Sequence, residues 1–145
     1  MATKAQLRRQ LFANLPADVS AASLTVAKQF AQLDLPHIFH ILAYRPLPVE
    51  IDPGPLLAQL DSSVSIDYVL PSQDAPLPSG AYDVILVPCL GYTADNYRLG
   101  RGGGWYDRLL ALQPAAVTVG LACASGQVVF EPETYDIPLA HILTA

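Results

Sequence analysis

The segment RLGRGGGWYDR, residues 98–108, holds four of the chain's nine glycines and three of its eight basic residues. Gly100, Gly102, Gly103 and Gly104 carry no Cβ, so their amides can approach an anion closely. Arg98 and Arg101 can each present a fork of donors to phosphate oxygens. A helix starting near Trp105 would add unpaired amides and the positive end of its dipole. The spacing fits neither the P-loop nor the dinucleotide fingerprint, so the segment reads as an anion cradle of another kind. A plain surface hairpin would not need arginines before its glycines and an aromatic pair with an acid after them.

Asp107 follows the glycines closely enough for its carboxylate to hold Mg²⁺ bound at the same time to phosphate oxygens. Two other roles fit it equally well: an ion pair with Arg108 or Arg101, or a cap at the helix start. Trp105 and Tyr106 can stack on a ligand ring, although aromatics at a helix start more often pack into a core.

Charge is distributed in the same sense. The net charge of −5 argues against a general nucleic-acid surface. Five of the eight bases precede Pro46, the other three are Arg98, Arg101 and Arg108, and Pro46 to Tyr97 carries seven acids and no base. Positive charge is thus kept for two places.

The elements that must position these groups alternate along the chain. Thr3 can cap a helix with Leu7, Leu11 and Leu15 on one stripe and Lys4 and Arg8 on a shared i, i+4 face, which by itself reads as a solvated face. Pro16 ends it, and Asp18 or Ser20 can cap a second helix through Val26 and Phe30 to about Leu33. Ile38–Ala43 reads as a buried strand, Asp52-Pro53 as the start of a short helix through Leu56, Leu57 and Leu60. Ser65–Leu70 and Asp83–Val87 read as further strands, separated by the Pro/Ser loop PSQDAPLPSG. A helix over Trp105–Leu112, a strand over Val117–Leu121 and a last short strand over Ile142–Thr144 complete the pattern.

Strands alternating with helices predict a single-domain, three-layer α/β/α fold with a mostly parallel sheet and right-handed crossovers. Such a sheet binds ligands beyond the carboxyl ends of its strands, which is where Asp83–Val87 delivers the glycine segment. A length of 145 residues suits one core, and 52% hydrophobic with 14% charged residues suits strands covered on both faces. No apolar run reaches a membrane span and the start lacks a secretory core, so a cytoplasmic protein is expected. Cys89 and Cys123, without CxxC spacing, read as reduced packing residues, and His37, His40 and His141 as structural.

RLGRGGGWYDRLL after DVILVPCLGY resembles the signature of the 5-formyltetrahydrofolate cyclo-ligases, also called 5,10-methenyltetrahydrofolate synthetases. KAQLRRQL, LAYRPLPVEID and ETYDIPLAHILT are similar to the family's opening helix, acidic turn and closing stretch. The resemblance implies one such domain over residues 1–145, using ATP and Mg²⁺ to close 5-formyltetrahydrofolate into 5,10-methenyltetrahydrofolate with release of ADP and phosphate. Phosphorylating the formamide oxygen makes it a leaving group that attack by N10 can expel, so catalysis rests on positioning and charge neutralisation.

Carried over residue by residue, the resemblance puts Lys4 and Arg8 on ATP phosphates. It puts the triphosphate on Arg98, Leu99, Gly100, Arg101, Gly102, Gly103, Gly104, Trp105 and Tyr106, with Arg98 and Arg101 as catalytic charges. Glu50, with Tyr106, would bind the folate, the carboxylate accepting from the donor edge of the pterin; read alone, Glu50 is a turn residue beside Asp52. Asp107 and Asp136 would serve magnesium. The expected partners are ATP and a reduced folate, with no nucleic acid and no membrane, in a monomer or small homo-oligomer. Thr93 and Asn96 stand where the family often has Asp and Gly, and the stretch between Leu70 and Asp83 is shorter than usual. A non-catalytic nucleotide- or phosphate-binding relative that has lost the folate pocket is the alternative.

Overall fold

The computed structural model describes residues 1–69 and 75–145. Helices α1 (Lys4–Ala13) and α2 (Ser20–Ala31) precede strand β1 (His40–Tyr44), helix α3 (Gly54–Leu57) and strand β2 (Ser65–Val69). Strands β3 (Val84–Pro88), β4 (Gly91–Tyr92) and β5 (Arg98–Leu99) lead into helix α4 (Trp105–Leu112), followed by β6 (Val117–Ala122) and β7 (His141–Thr144). Leu70 and the first part of the Pro/Ser loop lie outside the described residues.

Five strands form one all-parallel sheet in the order β2-β1-β3-β6-β7. Successive side chains of the inner strands serve opposite layers. Ile41, Ala43, Val84 and Leu86 pack with Val26, Phe30, Leu56 and Leu57 of α2 and α3. Leu42, Ile85 and Val87 pack with Trp105, Tyr106, Leu109 and Leu110 of α4. The sheet is therefore the middle layer of the expected α/β/α sandwich. Cys123 joins the first cluster and Cys89 the second, so the two thiols, both free, serve different sides of the sheet.

Local chemistry sets the element boundaries. Thr3 Oγ1 accepts from Gln6 N at 3.1 Å while Thr3 N donates to Gln6 Oε1 at 2.8 Å, a complete capping box for α1. At α2 the expectation of an Asp18 or Ser20 cap needs correction, because Val19 occupies the cap position. Asp18 Oδ1 instead accepts from Ser20 N at 2.8 Å, closing a turn just ahead of the helix. Asp52 acts similarly before α3, accepting from Gly54 N at 2.8 Å. That helix ends at Leu57, leaving Leu60 beyond it, although Leu60 still packs on the core.

Strand order reverses beside β1, since the chain runs from β1 outward to β2 and then returns to β3 on β1's other side. Beyond the carboxyl ends of β1 and β3 this leaves a crevice between diverging connections, the favoured place for a ligand in an open α/β sheet.

Candidate active site

A cleft of about 640 Å³ opens at that crevice. Tyr44 and Arg45 enter it from the end of β1, Pro88 and Cys89 from the end of β3, and Cys123 from just past β6. Every site residue expected from the sequence lines this one cleft: Lys4, Arg8, Glu50, residues 98–107 and Asp136. Five of the chain's eight bases face it.

A hairpin absent from the sequence expectation aims the loop. Strands β4 and β5 pair antiparallel, Gly91 with Leu99 and Tyr92 with Arg98. Asn96 turns the hairpin at φ 67°, the left-handed conformation asparagine tolerates best after glycine. Thr93 is buried and its Oγ1 accepts from Tyr97 N at 3.2 Å, which assigns it a turn-closing role. Leu99 anchors the hairpin by packing on Leu7 of α1 and on Phe130. The same contact brings Lys4 and Arg8 to the cleft, so the helix face that reads as solvated in isolation is a cleft wall.

Within the loop, Arg8 Nε donates to Gly100 O at 2.8 Å, fastening α1 to the glycine segment. Arg98 Nη2 donates to Pro88 O at 3.1 Å, its guanidinium lies 5.0 Å from the Tyr106 ring centroid, and its buried Nε has no partner. A Cβ on Gly100 would collide with that guanidinium, so Gly100 makes room for Arg98. Gly102 and Gly104 have φ of +108° and +68°, a region costly for other residues. Gly104 is the cap position of α4, and its carbonyl accepts the helix's first bond, from Arg108 N at 3.2 Å.

The aromatic pair packs inward. Trp105 and Tyr106 are each 5% exposed and meet edge to face, and Trp105 Nε1 donates to Ala75 O at 3.1 Å. Their packing role is the one the structure displays. Tyr106 nonetheless keeps a buried hydroxyl without a partner on the cleft wall. Burial pushes its pKa well above the ordinary phenol value, so it stays a neutral donor.

The acids occupy opposite ends of the cation network. Asp136 Oδ2 accepts from Lys4 Nζ and from Glu133 N, both at 2.8 Å, and Lys4 also reaches Glu133 Oε1 at 3.4 Å. Asp107 has a raised pKa, chiefly because its carboxyl is desolvated and also because Asp136 is near, with Arg98 opposing the shift. Glu50 Oε1 accepts from Leu47 N at 2.8 Å, closing its turn, while Oε2 faces Arg101 Nε at 3.8 Å. Arg101 also lies 5.1 Å from the ring centroid of Phe12 in α1. Among the described residues no group of three or more His, Cys, Asp or Glu side chains forms a metal cage.

Within this geometry the sequence relationship becomes decisive: a model of the 5-formyltetrahydrofolate cyclo-ligase family matches residues 49–145. The chain belongs to that family. A cyclo-ligase of Mycolicibacterium smegmatis is 39% identical over 67 residues, 45% of this chain and 34% of that protein. One of Mycoplasma pneumoniae is 37% identical over 62 residues, 42% and 38% of the two chains. The matched stretch thus spans little more than a third of these cyclo-ligases. Among solved structures, a 5,10-methenyltetrahydrofolate synthetase from Mycoplasma pneumoniae superposes with a TM-score of 0.80 at 24% identity, covering 98% of each chain. A synthetase from Aquifex aeolicus gives 0.72 at 22% identity, covering 97% of this chain and 89% of that one. At those identities the likeness establishes the fold, and it extends the cyclo-ligase architecture to α1, upstream of the family match.

Some cleft residues escaped sequence reasoning. Arg45, Tyr44, Cys89 and Glu133 line the cleft without belonging to the glycine segment. Arg45 had one signal in the sequence: it is the last base before the base-free stretch from Pro46 to Tyr97. As for a membrane, no helix among the described residues is long and apolar enough to cross one.

Proposed function

We propose that this protein is an ATP- and Mg²⁺-dependent 5-formyltetrahydrofolate cyclo-ligase, producing 5,10-methenyltetrahydrofolate, ADP and phosphate. The observation that carries the reading is one cleft at the β1/β3 crevice, lined by the glycine loop, Lys4, Arg8, Arg98 and Arg101 together with Glu50.

The residues fit a nucleotide and its metal. The loop amides and the start of α4 offer donors to phosphate oxygens, and the buried Arg98 Nε and Tyr106 hydroxyl are donors without acceptors. Asp107 and Asp136 supply two hard oxygen donors, a set that suits Mg²⁺ completed by phosphate and water oxygens. The desolvated carboxyl of Asp107 gains from a neighbouring cation, which makes it the better of the two ligands.

ATP supplies the phosphoryl group that turns the formyl oxygen into a leaving group. This chain's residues do the remainder by position and charge. Arg98, held by Pro88 O and the Tyr106 ring, presents a fixed cation that needs no reorganisation as charge develops. Glu50, fixed by Leu47 N, offers its other oxygen to the donor edge of the pterin. Tyr44, Ile51 and Tyr106 are buried side chains on the cleft wall and would limit the water that reaches the reacting atoms.

The test is turnover: ADP release that requires Mg²⁺ and is stimulated by 5-formyltetrahydrofolate, with the absorbance of methenyltetrahydrofolate appearing in step. Tight ATP binding without stimulation by any reduced folate would defeat the substrate assignment and favour the non-catalytic relative.

A further inference from the structure

Four of the five bases on the cleft have acceptors or acids of their own. Lys4 holds Asp136, Arg8 holds Gly100 O, Arg98 holds Pro88 O, and Arg101 faces Glu50. Arg45 differs. Its backbone continues the pairing of β1, donating to Val69 O at 3.3 Å, and its guanidinium lies 3.7 Å from the centroid of the Tyr68 ring. No salt bridge to Arg45 exists among the described residues.

Stacking engages the face of the guanidinium and uses none of its N–H donors, and among the described residues none of those donors is hydrogen-bonded. Tyr68 is a surface platform, 41% exposed on the outermost strand. Arg45 itself is exposed at the cleft's rim, on the connection that runs from β1 to Glu50. A planar, pre-oriented cation with free donors, at the mouth of a cleft, matches a carboxylate. The chain around it carries net negative charge, so an isolated arginine here also gives an anionic ligand a favourable end to approach.

Resting on the cyclo-ligase reading, we propose that Arg45, stacked on Tyr68, is the subsite for the glutamyl carboxylates of the reduced folate, so that the pterin end meets Glu50 inside and the anionic tail meets Arg45 at the rim. Arg45 then sets specificity between glutamylated and unglutamylated substrates and takes no part in the phosphoryl step.

Steady-state kinetics on three substrates test this: 5-formyltetrahydropteroate, which lacks the glutamate, 5-formyltetrahydrofolate, and its tri-γ-glutamyl form. Arg45→Gln raises KM for both glutamylated substrates by about three- to tenfold, the scale of one partly exposed charge-assisted contact. It leaves kcat, and KM for the pteroate, within about twofold of the parent. Tyr68→Leu shifts KM in the same direction by less, since the guanidinium loses orientation but not charge. Equal KM values for Arg45→Gln and the parent on glutamylated substrates overturn the subsite, as does an equal change on all three substrates. Turnover of none of the three by the parent overturns the cyclo-ligase reading and this one with it, a result distinct from turnover without discrimination.

Discussion

Arg101 Nε stands 3.8 Å from Glu50 Oε2, so the loop's most exposed cation faces the acid expected to receive the pterin. The guanidinium is 43% exposed and the carboxylate side chain 18%, a pair worth about 1 kcal/mol at most. Phosphate oxygens in the glycine loop would draw Arg101 away and leave Glu50 free to accept. ATP therefore tightens reduced-folate binding by up to about fivefold, the ratio that ~1 kcal/mol supports. Calorimetry of 5-formyltetrahydrofolate with and without a non-hydrolysable ATP analogue reads the coupling. In Arg101→Gln the ratio collapses toward one, while affinity without nucleotide is no weaker than in the parent. Undiminished coupling in that variant would show that Glu50 is not masked by Arg101.

Arg98 presents a different case, because its guanidinium is half-buried and doubly held. Replacing it by Ala leaves Pro88 O without its donor and strips the cation from the Tyr106 ring. Phosphoryl transfer falls at least about tenfold, as for loss of one preorganised charge contact. Arg98→Lys keeps the charge but loses the planar fork, and lands between the parent and the Ala variant. Single-turnover ADP formation in variants with unchanged circular dichroism makes the comparison; parent-like rates in folded Arg98→Ala would remove it from the site.

The buried strands and α4 were legible because their signals are local and concordant. Val84–Val87 is an apolar run with complete burial, and the helix expected over Trp105–Leu112 follows directly on the glycines. The two-residue strands β4 and β5 were not legible. Their pairing depends on Thr93 and Asn96 closing a turn and on Leu99 packing against a helix over ninety residues upstream, neither of which leaves a periodic trace. Lys4 and Arg8 were ambiguous for the same reason. An i, i+4 pair of bases looks alike on a solvated helix and on a cleft wall until the tertiary partner, here Gly100 O, is known. Arg45 was passed over because its defining contact, the Tyr68 ring, comes from the neighbouring strand in register with Ala43.

The four loop glycines are not equivalent, and alanine substitution separates them. Gly100→Ala places a methyl on the Arg98 guanidinium, and Gly104→Ala forces a side chain to φ +68° at the start of α4. Either change weakens ATP binding about tenfold or more, through a displaced arginine or a distorted helix start. Gly103 has no heavy atom within 4 Å of its Cβ position and no positive φ, so Gly103→Ala binds ATP within about twofold of the parent. Equal losses at Gly100 and Gly103 would mean that the loop adopts another shape when it works.

Asp107 should reveal its role through stability as well as activity. Its folded pKa is raised above the ordinary 3.8, mainly by desolvation and then by Asp136. Between the unfolded and folded values the folded chain binds the extra proton, so stability falls as pH rises through that window. Above it the full cost of an ionised, half-buried carboxylate remains. Asp107→Asn removes the cost, and its Tm at pH 7 exceeds the parent's, with the gap closing as pH falls toward 3.8. The same substitution removes the proposed magnesium ligand, and on that proposal Mg²⁺-dependent turnover falls at least about tenfold. Added MgATP then raises the parent's Tm more than the variant's, because the variant keeps only one of the two proposed carboxylate ligands. A variant less stable than the parent at pH 7 would contradict the desolvation argument, and one of undiminished activity would leave magnesium to Asp136 alone.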